Sequence, residues 1–307
     1  MMTRTLAGKF ARSIFFSRGR QLFERNCHEW NLPLSKFDKL LTGTYLILED
    51  YSRGLFPPKF QDQAAAYAAE AAYHTNGVPG LDVESMRLGE MRKPFWHAQA
   101  TERYLTGFIR LRSLLERLKL SPPARLLELG CGSGWMSEFL AMTGFDVTGT
   151  DVSPVGIEEA NLRLKSVAVI GLDLKLRFKI AAMESVADTV GPRDHYDAVF
   201  VSEALHHAFD WRSAVKSSFA CLRPGGWLLV CNEPNVLHTF ISYRTAKLSK
   251  THEIGFSRRE LIRHLEKTGF ASVKYFGTPL HFWVKAHWII AQRPAEITNC
   301  QLKSCDG

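Results

Sequence analysis

Glu128, Gly130, Gly132 and Gly134 stand at alternate positions in the run Arg125-Leu-Leu-Glu-Leu-Gly-Cys-Gly-Ser-Gly-Trp135. Leu126–Leu129 reads as a buried strand that enters a glycine turn, and Trp135–Met142 reads as the helix leaving it. A side chain at the three glycines would hold the backbone away from a ligand or force a strained dihedral. Strand, turn and helix start together make a nucleotide-cofactor cradle, with amide N–H groups pointing outward. Asp151 follows at the end of the next apolar run, where a carboxylate accepts hydrogen bonds from ribose hydroxyls. His206 and His207 come after a later strand. Histidine has a near-neutral pKa and serves as a general base for a hydroxyl nucleophile. Adjacent side chains point in different directions, so one histidine at most faces a given substrate atom, and the pair does not chelate a metal. His207 is the preferred base over His206. Glu233, after the following strand, is placed to orient or assist the histidine.

These residues need a scaffold that brings strand ends together. Strands are predicted at Leu126–Leu129, Val147–Thr150, Leu176–Ala181, Ala198–Val201 and Trp227–Cys231, with two more at Ser272–Phe276 and Trp288–Ala291. Helices are predicted between them at Gly156–Val167, Trp211–Cys221 and Ser257–Thr268. Arg223-Pro-Gly-Gly226 reads as a tight turn, and Gly269 suits a helix C-cap. Such alternation implies an α/β fold: a doubly wound, Rossmann-like, seven-stranded and mostly parallel sheet. Residues 1–80 read as a separate helical N-terminal extension, 81–295 as the α/β domain and 296–307 as a tail. The alanine-rich stretch Gln61–His74 is the clearest helix of the extension, and 84–119 reads as one or two more helices.

The pattern Glu-x-Gly-x-Gly-x-Gly resembles motif I of class I S-adenosylmethionine-dependent methyltransferases. A dinucleotide enzyme favours GxGxxG and has a pyrophosphate to place, beside which Glu128 would be unwelcome. Asp151 in Thr150-Asp-Val-Ser153, the Leu205-His-His207 run after strand four, and Leu222-Arg-Pro-Gly-Gly226 are similar to methyltransferase type 11 proteins. The likeness covers about residues 85–295. It implies S-adenosylmethionine as cofactor, with Glu128 near the ammonium group and Asp151 and Val152 near the ribose. Gly130, Cys131, Gly132, Gly134 and Ser202 complete the cofactor set. The family usually has an aspartate after strand three, near adenine. Ala182 stands there instead, so Met183 and Glu184 are the candidates for the adenine side. Lys93-Pro-Phe-Trp-His97 and Tyr104 precede the core, where related folds cover the ligand, and a plain packing helix is the preferred reading.

The chain has 307 residues, a formal charge of +8 and 46% hydrophobic residues, which excludes a disordered chain. The positive excess lies at the two ends and favours anionic partners. The expected partner is a small-molecule acceptor, anionic in one version. Nucleic acid is a less favoured partner, because the basic residues are scattered and lack interleaved aromatics. The strand-four end, Ser202-Glu-Ala-Leu205, also lacks the run that holds a planar base amine. Arg4, Lys9, Arg12, Arg18 and Arg20 precede the first acid, Glu24. That pattern suits a transit peptide, peripheral membrane contact or an ordinary surface helix, the last being preferred. Six cysteines without CxxC spacing fit a reduced, cytoplasmic protein and offer no metal site. The expected activity is O-methylation of a small molecule such as a sugar, lipid precursor or secondary metabolite. Methylation of RNA or protein, and a non-catalytic cofactor-binding assembly subunit, are the alternatives.

Overall fold

The computed structural model describes residues 3–30, 32–57, 62–76, 82–96, 98–252, 254–276 and 286–295. The contact expected of His97 and the tail 296–307 lie outside them. Six helices come first: α1 (Arg4–Ala11), α2 (Ser17–Asn26), α3 (Lys36–Arg53), α4 (Gln63–Asn76), α5 (Val83–Arg92) and α6 (Ala98–Arg117). Strands and helices then alternate: β1 (Arg125–Leu129), α7 (Trp135–Met142), β2 (Asp146–Asp151), α8 (Pro154–Val169) and β3 (Leu176–Ile180). The short α9 (Val186–Thr189), β4 (Tyr196–Ser202), α10 (Trp211–Cys221) and β5 (Leu222–Pro234) follow. Last come α11 (Val236–Ser249), α12 (Arg258–Thr268), β6 (Ala271–Tyr275) and β7 (Ala286–Gln292).

The seven strands form one sheet in the order β3-β2-β1-β4-β5-β7-β6. Pairings among β1 to β5 are parallel, and β7 runs antiparallel to both its neighbours. The doubly wound expectation therefore holds. Chain order reverses between β1 and β4, so a crevice opens beyond the carboxyl ends of those two strands. Leu126, Leu127 and Leu129 are buried because helices cover both faces of the sheet. One core joins Leu127, Val199 and Val201 to α10 and α12. The other joins Leu126 and Phe200 to α6 and α7. Each fully buried leucine contributes about 1.5–3 kcal/mol.

Local rules set the helix ends that frame the crevice. Ser153 caps α8 by accepting the Gly156 N–H, and Pro154 occupies the first helical turn. Gly269 ends α12 in the left-handed region at φ +104°, the cap expected from its type. The expected turn at Arg223–Gly226 lies inside the bounds of β5: pairing with β4 breaks off at Leu222 and resumes at Trp227, and Gly225 turns the chain at φ +77°. The Gly225 N–H donates to the Arg293 carbonyl and the Arg293 N–H to the Gly226 carbonyl, which ties this turn to the residue after β7.

The helical N-terminal region is not a separate appendage. Ala11, Phe16, Leu41, Tyr45 and Leu46 share a core with Tyr243 and Ala246 of α11. Tyr243 donates to Asp50 at 2.7 Å, and Lys247 pairs with Asp50 at 2.9 Å. α11, which follows β5 directly, thus ties α3 to the sheet.

Candidate cofactor and acceptor site

The glycine turn closes tightly around the end of β1. Gly130, Gly132 and Gly134 all have positive φ. A Cβ at Gly130 would lie 2.5 Å from the Ala204 Cβ and 2.7 Å from the Met183 Cε. Gly132 meets nothing within 4 Å. One glycine therefore permits internal packing, while the other faces open space. The Gly132 N–H donates to Asp151 at 2.9 Å, and the Ser153 N–H donates to the other Asp151 oxygen at 2.8 Å. Asp151 is fixed by its own backbone neighbourhood and still lines the cavity.

Two adjoining cavities lie beyond β1 and β4. The larger, of about 340 Å³, is bordered by Gly132, Asp151, Val152, Met183, Glu184 and His207. The smaller, of about 140 Å³, is bordered by Glu128, Cys131, Ser202, Glu203 and Asn232. Gly130 and Gly132 border both. Gly134 borders neither: its Cβ would meet Phe178 and Ala160, so it serves turn and packing.

Burial pushes the Glu128 carboxyl up to about 8, with the Ser137 hydroxyl donating to it in opposition and the Asp151 charge adding to the rise. A carboxyl of this kind favours a cation beside it. Burial likewise raises the Cys131 thiol well above its ordinary value, which makes it inert packing and not a nucleophile. Met183 packs at Gly130 on a short 3-10 turn. Glu184 accepts the Asp210 N–H at 2.9 Å and the Tyr67 hydroxyl. Both its oxygens hold protein groups.

The histidine pair divides. His207 borders the larger cavity, and its Nδ1 lies 3.2 Å from Glu70 of α4. Glu70 also accepts the His252 N–H at 3.0 Å. Burial opposes the charge on Glu70, but the His207 imidazole and these hydrogen bonds outweigh it and hold the carboxyl below its ordinary value. His206 is buried, with Nδ1 2.9 Å from Glu233. Glu233 is 0% exposed and accepts the N–H groups of Ala204, Leu205 and His206. Burial opposes its charge, yet His206 and those donors keep its carboxyl low.

Neither His206 nor Glu233 borders either of these two cavities. Glu233 pins the turn after β4 that carries His207, and His206 is part of that pin. The expectation for His207 has a cavity position to match.

Several cavity residues carry no local signal in the sequence. Glu70 and Tyr67 come from the alanine-rich α4. Glu203 and Asn232 both adopt positive φ at the ends of β4 and β5, and the Asn232 amide donates to the Glu203 carboxylate. Non-glycine residues held there store strain of about 1–3 kcal/mol each, which marks functional edges. Lys93 and Tyr104, the candidate covering residues, border both cavities. Burial opposes the Lys93 charge, and Glu90 at 2.7 Å outweighs it and raises the pKa.

The arrangement suits S-adenosylmethionine. Gly132 leaves an approach clear, Asp151 borders the cavity from the end of β2, and Glu128 is a buried acid that accepts from the Ser137 hydroxyl. Among the described residues, no group of three or more His, Cys, Asp or Glu is placed to hold a metal.

Comparison with known proteins agrees. A ubiquinone biosynthesis O-methyltransferase of Alkalilimnicola ehrlichii is 32% identical over 105 residues, covering 34% of this chain and 40% of the relative. One of Bordetella bronchiseptica is 27% identical over 158 residues, covering 50% and 63%. The chain thus spans less than two thirds of these relatives. The solved magnesium protoporphyrin IX methyltransferase of Synechocystis PCC 6803, with bound SAH, superposes with a TM-score of 0.53 at 17% identity. That match covers 74% of this chain and 99% of the other, and shows a shared fold. The model of a methyltransferase domain matches residues 97–275, more than half the chain. Sheet order, glycine cradle and this match together make the chain a member of the class I S-adenosylmethionine-dependent methyltransferases.

Proposed function

We propose that the protein methylates a hydroxyl oxygen of a small molecule, with His207 as general base and Glu70 as its positioning residue. The observation that supports this reading best is the Glu70–His207 pair, 3.2 Å apart, on the wall of the cavity that Asp151 and Met183 also border. S-adenosylmethionine, when bound, supplies an electrophilic methyl group on sulfur. Asp151 would hold its ribose, Met183 would pack against the adenine and Glu128 would face the ammonium. Glu70 fixes the His207 ring by its Nδ1 and stabilises the imidazolium. The ring then takes the hydroxyl proton at Nε2 as the oxygen attacks. Lys93, Tyr104 and α4 cover the site and exclude water. The relatives named for ubiquinone biosynthesis favour an oxygen acceptor and a ring-bearing lipid precursor over a sugar.

Calorimetry with S-adenosylmethionine and transfer of labelled methyl to a panel of phenols, catechols and sugars test this. His207→Ala should keep cofactor affinity within about threefold and lower kcat by roughly 100-fold or more. Glu70→Gln should lower kcat by about tenfold and move the limb of the pH–rate profile that needs neutral imidazole to lower pH, since the imidazolium loses its counter-charge and gives up its proton more readily. Unchanged kcat in His207→Ala, or labelling of amines alone, would sink the reading.

A further inference from the structure

The first two helices pack with their small side chains inward. Ala7, Gly8 and Ala11 of α1 are buried against the fold. A Cβ at Gly8 would lie 3.2 Å from Ser52, so α1 rests closely on α3. The large apolar side chains of the same segment face outward. Leu6 is 55% exposed, Phe10 48%, Ile14 91% and Phe15 63%. Phe16 is buried beneath them. Its ring meets Phe10 at 5.3 Å and Phe15 at 4.9 Å, both edge-on, so the outer rings are held by a buried one. Single exposed apolar residues need no explanation, but four within ten residues form a patch.

Charge surrounds that patch with one sign. Arg4, Lys9, Arg12, Arg18 and Arg20 are the charged residues before Glu24. Lys9 and Arg12 are exposed beside Phe10 and Ile14. Arg18 pairs with Asp38 at 2.8 Å. Exposed rings and aliphatics ringed by cations match the interfacial zone of a bilayer with anionic headgroups: apolar groups enter the acyl boundary while Lys and Arg stay at the phosphates. No helix among the described residues is long and apolar enough to cross a membrane, so contact would be peripheral.

We infer that Leu6, Phe10, Ile14 and Phe15, with Lys9 and Arg12, form a docking surface for an anionic membrane. The surface lies outside the cavity and is independent of the methyl acceptor. α3 and α11 connect it to the site: α11 packs on α3 and borders the cavity through Thr245 and Ser249.

Flotation of the full chain with phosphatidylcholine vesicles, with and without about one third phosphatidylglycerol, tests the inference. The protein should float with the anionic vesicles, stay in solution with the neutral ones and be released by salt. A Phe10→Ser/Ile14→Ser/Phe15→Ser variant and a Lys9→Glu/Arg12→Glu variant should each bind at least about tenfold more weakly, with S-adenosylmethionine affinity unchanged. The charge variant keeps the test open if the serine variant fails to fold. Failure of the wild type to float overturns the inference. So does equal flotation of the charge variant, or a dimer seen by sedimentation that the serine variant abolishes while vesicles capture nothing.

Discussion

Glu128 makes the folded protein sensitive to pH through a single buried acid. Its carboxyl rises from 4.5 to about 8, chiefly by burial. At 1.36 kcal/mol per unit, such a shift corresponds to roughly 5 kcal/mol of differential stability. The direction follows from proton count. Between about pH 5 and pH 8 the unfolded chain has released the Glu128 proton while the folded chain retains it. The folded state binds more protons, so stability falls as pH rises across that window. The contribution is complete below about pH 4.5 and gone above about pH 8. Glu128→Gln removes the ionisation and keeps the shape and the Ser137 contact. Urea unfolding of both proteins without cofactor, from pH 5 to pH 8.5, isolates the group because other titrations cancel in the difference. The wild type should lose up to about 1.4 kcal/mol per pH unit relative to the variant. The glutamine variant should also bind S-adenosylmethionine about tenfold or more weakly at pH 8, since a neutral amide replaces the acid facing the ammonium. Parallel stability curves would refute the raised carboxyl, and undiminished binding would refute its role at the ammonium.

Two further substitutions separate the packing of the site from its chemistry. Gly130→Ala sets a Cβ 2.5 Å from Ala204 and 2.7 Å from Met183 at φ +68°; it should weaken cofactor binding more than tenfold by calorimetry and cost about 1–2 kcal/mol from the dihedral alone. Glu233→Ala leaves three N–H groups and His206 without their buried acceptor; it should cost about 3–5 kcal/mol in thermal unfolding, whereas a merely catalytic Glu233 would leave unfolding unchanged.

The helix after the glycine turn begins and ends at the residues its sequence predicts, Trp135 and Met142, because Gly134 and the apolar run frame it. Strand β1 was legible for the same reason. α11 was not. Its buried face carries Thr239, Ser242 and Tyr243, and Tyr243 and Lys247 reach Asp50. Polar groups satisfied by a distant partner leave no apolar stripe to read. Glu70 was hidden in another way. An acid in an alanine-rich helix reads as solvated, and its contact with His207 depends on tertiary packing. Asp151 and the glycines were legible because backbone geometry demands those residue types. His206 and His207 could not be separated by spacing alone, since what distinguishes them is the partner each one meets.

Tyr67 and Glu70 lie within one turn of α4, yet the first meets Glu184 and the second meets His207. A single rigid turn therefore spans both halves of the cavity. The unit that can be transplanted with its chemistry intact is larger than the sheet and its covering helices. A fragment cut to residues 97–295 would keep the sheet and the glycine cradle and lose the carboxylate behind His207. On the proposed chemistry such a fragment holds its cofactor and turns over poorly. A chimera that exchanges only residues 62–76 would alter both the group behind His207 and the partner of Glu184.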